Sequence, residues 1–286
     1  MVEPIARGWR ERLEEIPCQV DAIHLPEVDN ARIAQDQEWC EVLMGGHRRR
    51  IRFHDYGQIY DIPGLYERLF YDRLKCCSPT RVVGLLADVM SDLGIHPGSL
   101  KVLDLGAGNG MVGDELHSLG AKQIIGVDII PEAKEAALRD RPGVYQDYLV
   151  ADMTKLRPSD EETLSRRRCD CLTTVAALGF SDVPPLAFAT ALSMIETPGL
   201  LAFNIKEDFL KEKDSTGFTR LIRQLSREEI LQIQAYRRYR HRLSMTGRPL
   251  YYVAMVAKKL QEVPPQLIRS LKRQAVEAGV IFPRPA

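Results

Sequence analysis

Acidic residues end two successive apolar runs, and the first of them lies beside a glycine-rich turn. Asp104 precedes Gly106, Gly108 and Gly110 in the stretch VLDLGAGNGMVG, and Asp128 ends the run QIIGVD. Glycine lets a loop backbone approach a ligand closely and adopt positive φ, and the helix after such a loop points its free N–H groups at the ligand. A carboxylate after the next strand holds ribose hydroxyls through hydrogen bonds. The pattern therefore predicts a binding site for a nucleotide-like cofactor.

Two classes of cofactor fit this turn. The glycine spacing in GNGMVG also satisfies the dinucleotide-binding fingerprint. Asp104 argues against a dinucleotide, because a carboxylate beside the turn repels a pyrophosphate and attracts a cationic or amino group. After a third apolar run, Asp152 and Met153 offer an acceptor for an exocyclic amine and an apolar contact for a purine. An aspartate at a strand end also commonly caps the next helix, so a structural role stays open for each acid.

The elements that position these residues alternate between strand and helix patterns. Predicted strands cover residues 100–105, 123–128, 148–152, 169–178 and 200–206, and helices are predicted after the first, second and fourth of them. A helix at 218–225 follows, and Ser226 and Glu229 have the spacing of a capping box. Two extended runs, 231–245 and 250–258, are joined by the turn sequence TGRP. The predicted fold is α/β, with a doubly wound, mostly parallel seven-stranded sheet that ends in an antiparallel hairpin.

The sequence pattern changes on both sides of this core. Residues 1–77 form an N-terminal extension with a predicted β-hairpin and a tyrosine-rich segment, FHDYGQIYDIPGLYERLFYDRL. This extension is interpreted either as a lid over the site or as a segment packed on the core, and the sequence does not separate the two. Residues 78–260 form the predicted core, and residues 261–286 form a C-terminal helix and tail.

The composition favours an ordinary globular protein. The chain has 286 residues, of which 45% are apolar, and equal numbers of acidic and basic residues, 39 each. No apolar run reaches the roughly 20 residues that cross a bilayer, and the charged N-terminus does not resemble a secretory signal. We therefore expect a cytoplasmic protein without a membrane partner. The six cysteines lack zinc-site spacing, so we expect reduced structural thiols and no metal site.

The chain resembles the class I S-adenosylmethionine-dependent methyltransferases over about residues 78–260. VLDLGAGNG looks like the first motif of that family, IIGVD like its second and VADM like its third, and the last two predicted strands look like its reversed hairpin. Four features that agree in order favour this family over dinucleotide enzymes. The resemblance implies an enzyme that uses S-adenosylmethionine and releases S-adenosylhomocysteine.

The resemblance also implies which residues contact the cofactor. Gly106, Gly108 and Gly110 would line its methionine and ribose part, with Asp104 nearby. Ala176, or Ala177 beside it, would approach the methionine moiety from the end of the fourth strand.

The other implied contacts are with the adenosine part. Asp128 would accept both ribose hydroxyls, and Ile129 would pack on adenine. Asp152 and Met153 would hold the adenine amino group and ring.

Three further residues are candidates for catalysis or for a contact with the cofactor. Tyr60 lies in a Tyr-x-x-x-Tyr-Asp segment that resembles one found ahead of the core in many small-molecule methyltransferases, where it closes over the cofactor. Tyr60 is thus a candidate for a cofactor contact, and the alternative is a ring packed on the core. His54 and His241 are candidate general bases, because histidine titrates near neutral pH. A hydrogen-bonded structural histidine is the alternative for both.

The class of acceptor is inferred from motifs that the sequence lacks. A sulfonium methyl needs mainly a nucleophile held in line at about 3 Å, and a base only where the acceptor must lose a proton. The stretch AALGFSDVPP lacks the Asn/Asp-Pro-Pro-Tyr motif of family members that methylate the exocyclic amino group of adenine or the side-chain amide of glutamine. Pro17 and Cys18 lie far from any strand that would present a cytosine-modifying thiol.

Three short basic clusters, at 48–50, 166–168 and 236–242, are typical of solvated faces in a chain without net charge. We expect in-line methyl transfer to an O or N atom of a small molecule. The alternatives are a protein or RNA methyltransferase, an enzyme that transfers another group from a related nucleoside, and a non-catalytic methyltransferase-like binding or scaffold protein. The sequence leaves the oligomeric state open.

Overall fold

A computed structural model describes most of the chain. The described residues are 9–16, 19–26, 33–180, 182–211 and 214–277. Pro17 and Cys18, and the tail after residue 277, lie outside them. The predicted boundaries 1–77, 78–260 and 261–286 stay predictions.

The N-terminal part contains a small antiparallel sheet. Helix α1 (Trp9–Glu15) precedes strands β1 (Ala22–His24), β2 (Trp39–Met44) and β3 (His47–Arg52), which lie in the order β1-β2-β3. Strands β2 and β3 form the predicted hairpin, with two glycines at positive φ in its turn. Strand β1 was not predicted, because three residues are too few to show an alternating pattern.

A second, larger sheet with helices on both faces follows. Its elements, in chain order, are α2 (Tyr56–Asp61), a π-helical segment (Glu67–Arg73), α3 (Ser78–Asp92), β4 (Lys101–Leu105), α4 (Met111–Leu119), β5 (Gln123–Asp128), α5 (Pro131–Asp140), β6 (Asp147–Val150), α6 (Pro158–Arg167), β7 (Cys171–Thr174), α7 (Pro185–Ser193), β8 (Gly199–Lys206), α8 (Phe218–Arg227), β9 (Leu231–Leu243), β10 (Pro249–Lys259) and α9 (Pro265–Glu277).

The seven strands lie in the order β6-β5-β4-β7-β8-β10-β9. Strands β4 to β8 are parallel, and β10 is antiparallel to both β8 and β9. The predicted doubly wound sheet with a terminal antiparallel hairpin is confirmed. The order reverses between β4 and β7, and ligands of such sheets bind beyond the carboxyl ends of the strands at this point.

Alternate residues of the parallel strands pack on opposite faces of the sheet. Leu103 and Leu172 belong to a buried cluster with residues of α6, α7 and α8. Val102 and Cys171 belong to a second cluster with α3 and α4. Because helices cover both faces, the central strands show continuous apolar runs in the sequence rather than an alternating pattern.

The structure differs from the sequence expectations in two local details. Helix α6 was not predicted, because Leu164 is its one buried residue and gives it almost no apolar face. The expected capping box at Ser226 and Glu229 was wrong. Ser226 lies in the last turn of α8, and Glu229 adopts a left-handed conformation with a φ of 54°. A capping box needs a helix after it, and strand β9 begins there instead.

Among the described helices, none is long and apolar enough to span a membrane. The C-terminal helix α9 follows the terminal hairpin and buries Leu267 in the larger core cluster. This agrees with the helix predicted near the C-terminus.

Candidate active site

The glycine turn begins where β4 ends. Gly106, Gly108 and Gly110 all adopt positive φ, and Gly110 is the N-cap of α4. A Cβ atom on Gly106 would lie 2.8 Å from the Cβ of Ala177, and one on Gly108 would lie 2.5 Å from the Tyr60 hydroxyl. Both the backbone conformation and the space therefore require glycine at Gly106 and Gly108.

Asp128, at the end of β5, is bonded to the glycine turn. Its Oδ2 accepts a hydrogen bond from the Gly108 N–H at 2.9 Å, and its Oδ1 accepts one from the Ile130 N–H at 3.0 Å. Burial raises the pKa of this carboxyl group, and the backbone donors oppose that rise. A carboxylate oxygen has a second lone pair, so both oxygens keep the capacity to accept from ribose hydroxyls.

Asp104, on β4, and Gly110, at the end of the turn, contact residues that pack against the turn. The Asp104 carboxylate accepts hydrogen bonds from the Thr173 hydroxyl at 2.7 Å and the Tyr145 hydroxyl at 2.8 Å. Burial raises the pKa of Asp104 to about 7, although both hydroxyl donors lower it. A Cβ atom on Gly110 would contact the side chains of Arg141 and Tyr145 at 3.1 Å. These two predicted residues thus adjoin the packing that supports the turn.

Asp152 and Met153 follow β6 in a tight turn. The Oδ1 atom of Asp152 accepts hydrogen bonds from the backbone N–H of Thr154 at 2.8 Å and from its hydroxyl at 2.6 Å. This local pair orients the carboxylate, as in other turns that begin with aspartate. The Met153 side chain is buried beside it.

A cavity of about 530 Å³ lies along the carboxyl edge of the parallel strands. Its volume is within the range of pockets that hold small molecules and cofactors. The sequence-predicted residues that line it are Gly106, Gly108, Asp128, Ile129, Asp152, Met153, Ala176, Tyr60 and His54. Asp104 and Gly110, in contrast, are outside its lining.

Tyr60 covers the glycine turn from helix α2. Its hydroxyl lies over Gly108, and its ring stacks on Tyr56 with a centroid distance of 6.0 Å and also contacts Tyr66 at 5.3 Å. The Tyr60 carbonyl accepts a hydrogen bond from Arg139 of α5 at 3.0 Å. Burial raises the pKa of Tyr60 well above its usual range, so the hydroxyl keeps its proton at neutral pH. Helix α2 is thereby attached to the core and forms one wall of the cavity.

A buried ion pair joins the N-terminal segment to the glycine turn. Arg141 donates to the Glu67 carboxylate at 2.7 Å and to the Asn109 carbonyl at 2.9 Å, and the Asn109 side chain donates to the same Glu67 oxygen at 2.7 Å. Neither charged side chain is more than 1% exposed. These contacts show the N-terminal segment packed on the core.

His54 lies at one end of the cavity and faces Asp182, a residue that the sequence analysis did not select. The His54 Nδ1 and Asp182 Oδ2 atoms are 3.4 Å apart. Burial raises the pKa of Asp182, and the hydrogen bond from His54 opposes that rise. Asp182 was visible only as one acid in the loop stretch FSDVPP, so the sequence carried no spacing signal for it.

Ala176 lies between these two parts of the cavity. Its φ of 58° ends the extended backbone, which explains why the strand predicted at 169–178 stops at Thr174. The Ala176 N–H donates to the Asn204 side chain at 2.6 Å, and Asn204 donates to the Tyr239 hydroxyl at 2.6 Å. This buried chain holds the loop after β7 to the strands beside it.

His241, the other candidate base, ends the same buried chain. The Ser78 hydroxyl is 2.7 Å from the Tyr239 hydroxyl and 2.6 Å from the Nδ1 atom of His241. Burial and the nearby Arg242 charge lower the pKa of His241 well below its usual range. His241 is absent from the lining of the 530 Å³ cavity, so the structure supports a structural hydrogen bond for it. Within the described ranges, no group of three His, Cys, Asp or Glu side chains is arranged to hold a metal ion.

Residues 103–203, from β4 into β8, match the family model of the methyltransferase domain. No curated protein matches the chain. Among solved structures, the chain is similar to a Pyrococcus horikoshii protein provisionally assigned as an RNA methyltransferase, with 17% identity over 65% of this chain and 87% of that one and a TM-score of 0.49. It is also similar to the N-methyltransferase NodS from Bradyrhizobium japonicum, in complex with S-adenosylhomocysteine, with 16% identity over 64% and 87% of the two chains and a TM-score of 0.46.

A third similar structure is magnesium protoporphyrin IX methyltransferase from Synechocystis with bound S-adenosylmethionine. Its identity to this chain is 16%, over 63% of this chain and 79% of that one, with a TM-score of 0.44. The family-model match begins in the strand that leads into the glycine turn and spans the parallel half of the sheet, whose strand order ends in the reversed hairpin. The parallel half of the sheet, with its glycine turn, is therefore similar to a methyltransferase domain.

Proposed function

We propose that the protein transfers the methyl group of S-adenosylmethionine to an O or N atom of a small molecule. The observation that carries this proposal is the cavity itself, which joins the glycine turn at one end to the His54–Asp182 pair at the other. A methyl donor held along the turn would direct its sulfur toward Ala176, and an acceptor beside His54 would then approach the methyl carbon.

The cofactor half of the proposal rests on four residues that line the cavity. Asp128 would accept from the ribose hydroxyls, and Ile129 would pack on adenine. Asp152 and Met153 would hold the adenine edge and ring. All four line the cavity.

The methionine half rests on the turn and its cover. Gly106 and Gly108 would let the cofactor approach the backbone, and Tyr60 would close over it from the other side. Asp104 and Gly110 would act indirectly, because Asp104 places a carboxylate under the turn and Gly110 starts helix α4.

His54 is the proposed general base. Its Nδ1 atom faces Asp182, so a proton on Nδ1 would be held by the carboxylate and Nε2 would be free to accept one. Methyl transfer to a protic nucleophile moves that proton to Nε2 while the C–S electron pair stays on sulfur. Asp182 then stabilises the imidazolium that forms.

The aromatic wall of the cavity favours a small acceptor. The rings of Tyr56, Tyr60 and Tyr66 contact one another in sequence along one wall, and the segment that carries them is fixed to the core through Glu67 and Arg141. A protein or nucleic acid could place only a thin extended part in such a space.

Calorimetric titration with S-adenosylmethionine, S-adenosylhomocysteine and NAD tests the cofactor, and His54→Gln tests the base. We expect the first two compounds, but not NAD, to bind at sub-millimolar concentration. His54→Gln should keep S-adenosylhomocysteine affinity and lower turnover by about 100- to 10,000-fold, whereas His47→Gln, at an exposed histidine, should change neither. Turnover unchanged in His54→Gln would refute the base, and absence of binding would refute the cofactor assignment.

A further inference from the structure

The charged side chains that line the cavity are mainly of one sign. Six of the described residues that line it are acidic, and none is lysine or arginine. The acids are Asp55, Asp61, Asp128, Glu132, Asp152 and Asp182. A carboxylate or phosphate group on an acceptor would meet like charges here, and their repulsion is strengthened because water is partly excluded.

The cofactor alone does not account for all of these acids. S-adenosylmethionine carries a sulfonium, an ammonium and a carboxylate, which leaves one net positive charge. Asp128 and Asp152 lie at the adenosine part of the site proposed above. Asp182 lies beside His54, where the acceptor would be held.

Aromatic rings surround the acceptor end. The His54 ring lies between Tyr56, at a centroid distance of 5.6 Å, and Phe180, at 5.5 Å. A small adjoining cavity of about 30 Å³ shares five lining residues with the large one, His54, Tyr56 and Asp182 among them, and the rest of its lining includes four Phe or Tyr rings. Aromatic faces combined with a carboxylate form a binding environment for organic cations.

Two cations lie near these rings, and both are already paired. Arg242 lines the small cavity, but its guanidinium donates to Glu38 at 2.6 Å and both side chains are buried. Lys206 lies 5.2 Å from the centre of the Phe180 ring and 3.5 Å from Asp208. Neither leaves an unopposed positive charge for an anionic acceptor.

We propose that the acceptor is an organic amine that arrives as an ammonium ion at Asp182 and Tyr56. This proposal rests on the methyltransferase function proposed above and names the acceptor class for the same site. The ammonium gives one proton to His54 Nε2, and its nitrogen lone pair then forms the new N–C bond to the methyl carbon. The methyl–sulfur bond breaks with its electron pair left on sulfur, so the products are a methylated ammonium and neutral S-adenosylhomocysteine.

Three probes that differ mainly in one group test this acceptor class. Benzylamine is a cation at neutral pH, benzyl alcohol is neutral and benzoate is an anion. Each is titrated by calorimetry into the protein saturated with S-adenosylhomocysteine, and each is offered with S-adenosylmethionine in a methyl-transfer assay. We expect benzylamine to bind at least about tenfold more tightly than benzoate and to be the probe that is methylated.

Two variants locate the effect. Asp182→Asn should lower benzylamine affinity by about tenfold or more and leave S-adenosylhomocysteine affinity within about twofold. Tyr56→Leu should lower benzylamine affinity by about threefold or more and affect benzyl alcohol less. Asp88→Asn, at an exposed acid outside the cavity, is the matched control and should bind all probes as the unchanged protein does.

Several outcomes would overturn the proposal. Benzoate binding as tightly as benzylamine, no benzylamine binding, or an unchanged preference in both Asp182→Asn and Tyr56→Leu would each exclude an ammonium site. Methylation of benzyl alcohol or benzoate instead of benzylamine would exclude the amine and leave the methyltransferase function standing. If the unchanged protein does not bind S-adenosylhomocysteine, the proposed methyltransferase function itself is refuted.

Discussion

The two ends of the cavity are built in different ways. At the glycine turn, the groups that line the cavity belong to one continuous β-α-β unit, and the Gly108 N–H to Asp128 bond closes that unit on itself. At the other end, His54 precedes α2 and Asp182 follows β7, so the pair depends on how the N-terminal segment sits on the core. The first end is determined by local chain geometry and the second by tertiary packing.

This difference separates two requirements of a methyltransferase. A cofactor common to the family needs a constant backbone surface, which a short unit with obligatory glycines supplies. An acceptor needs a pocket that can differ between family members, and side chains from separate segments allow such differences. We therefore expect variants at the two ends to change cofactor affinity and acceptor preference separately, unless they touch the link between the ends.

Arg141→Met breaks that link and should have the largest effect. Glu67 and the Asn109 side chain would keep their bond, but the Glu67 charge would lose its buried cation. Removing one partner of a buried ion pair costs about 3–5 kcal/mol, so the urea midpoint of unfolding should fall strongly. Arg168→Met, which removes an exposed ion pair with Glu196, is the control and should leave the midpoint unchanged. An unchanged midpoint in Arg141→Met would show that the two ends are not coupled through this pair.

The same contrast explains what the sequence could predict. The strands of the core, the terminal hairpin and the glycine turn follow from patterns within a few residues of one another, and the structure agrees with them. Asp182 and the Glu67–Arg141 pair carry no such pattern, because each meets its partner only through the tertiary fold. Helix α6 was not predicted for a related reason, because a helix that buries one side chain shows no apolar periodicity.

Asp128→Asn tests the part of the cavity that is proposed to hold the cofactor. An amide keeps one acceptor oxygen but loses the charge, and hydrogen bonds to charged groups are worth about 1.5–3 kcal/mol. We expect S-adenosylhomocysteine affinity to fall by about 10- to 150-fold in calorimetry, with benzylamine preference over benzoate retained where the cofactor product saturates the site. Asp147→Asn, on β6 outside the cavity lining, is the control. Affinity within twofold of the unchanged protein would remove Asp128 from the ribose site.

Asp104 gives a predicted effect on stability that depends on pH. Burial raises the pKa of this carboxyl group from 3.8 to about 7, so the folded protein keeps a proton that the unfolded chain releases. The contribution of Asp104 to the free energy of unfolding is therefore fully present below about pH 4, declines toward pH 7 and is lost above it. Asp104→Asn removes this decline, so the variant should gain stability relative to the unchanged protein as pH rises from 5 to 8 in urea titrations.

The opposite trend, or parallel pH profiles, would contradict the raised pKa of Asp104. Asp88→Asn provides the control, because Asp88 is an exposed acid, and this variant should leave the slope unchanged. A cation bound above the turn would favour the charged carboxylate and lower the pKa of Asp104. Saturating S-adenosylmethionine should therefore bring the pH profile of the unchanged protein closer to that of Asp104→Asn, whereas benzylamine, bound at the other end of the cavity, should have a weaker effect on it.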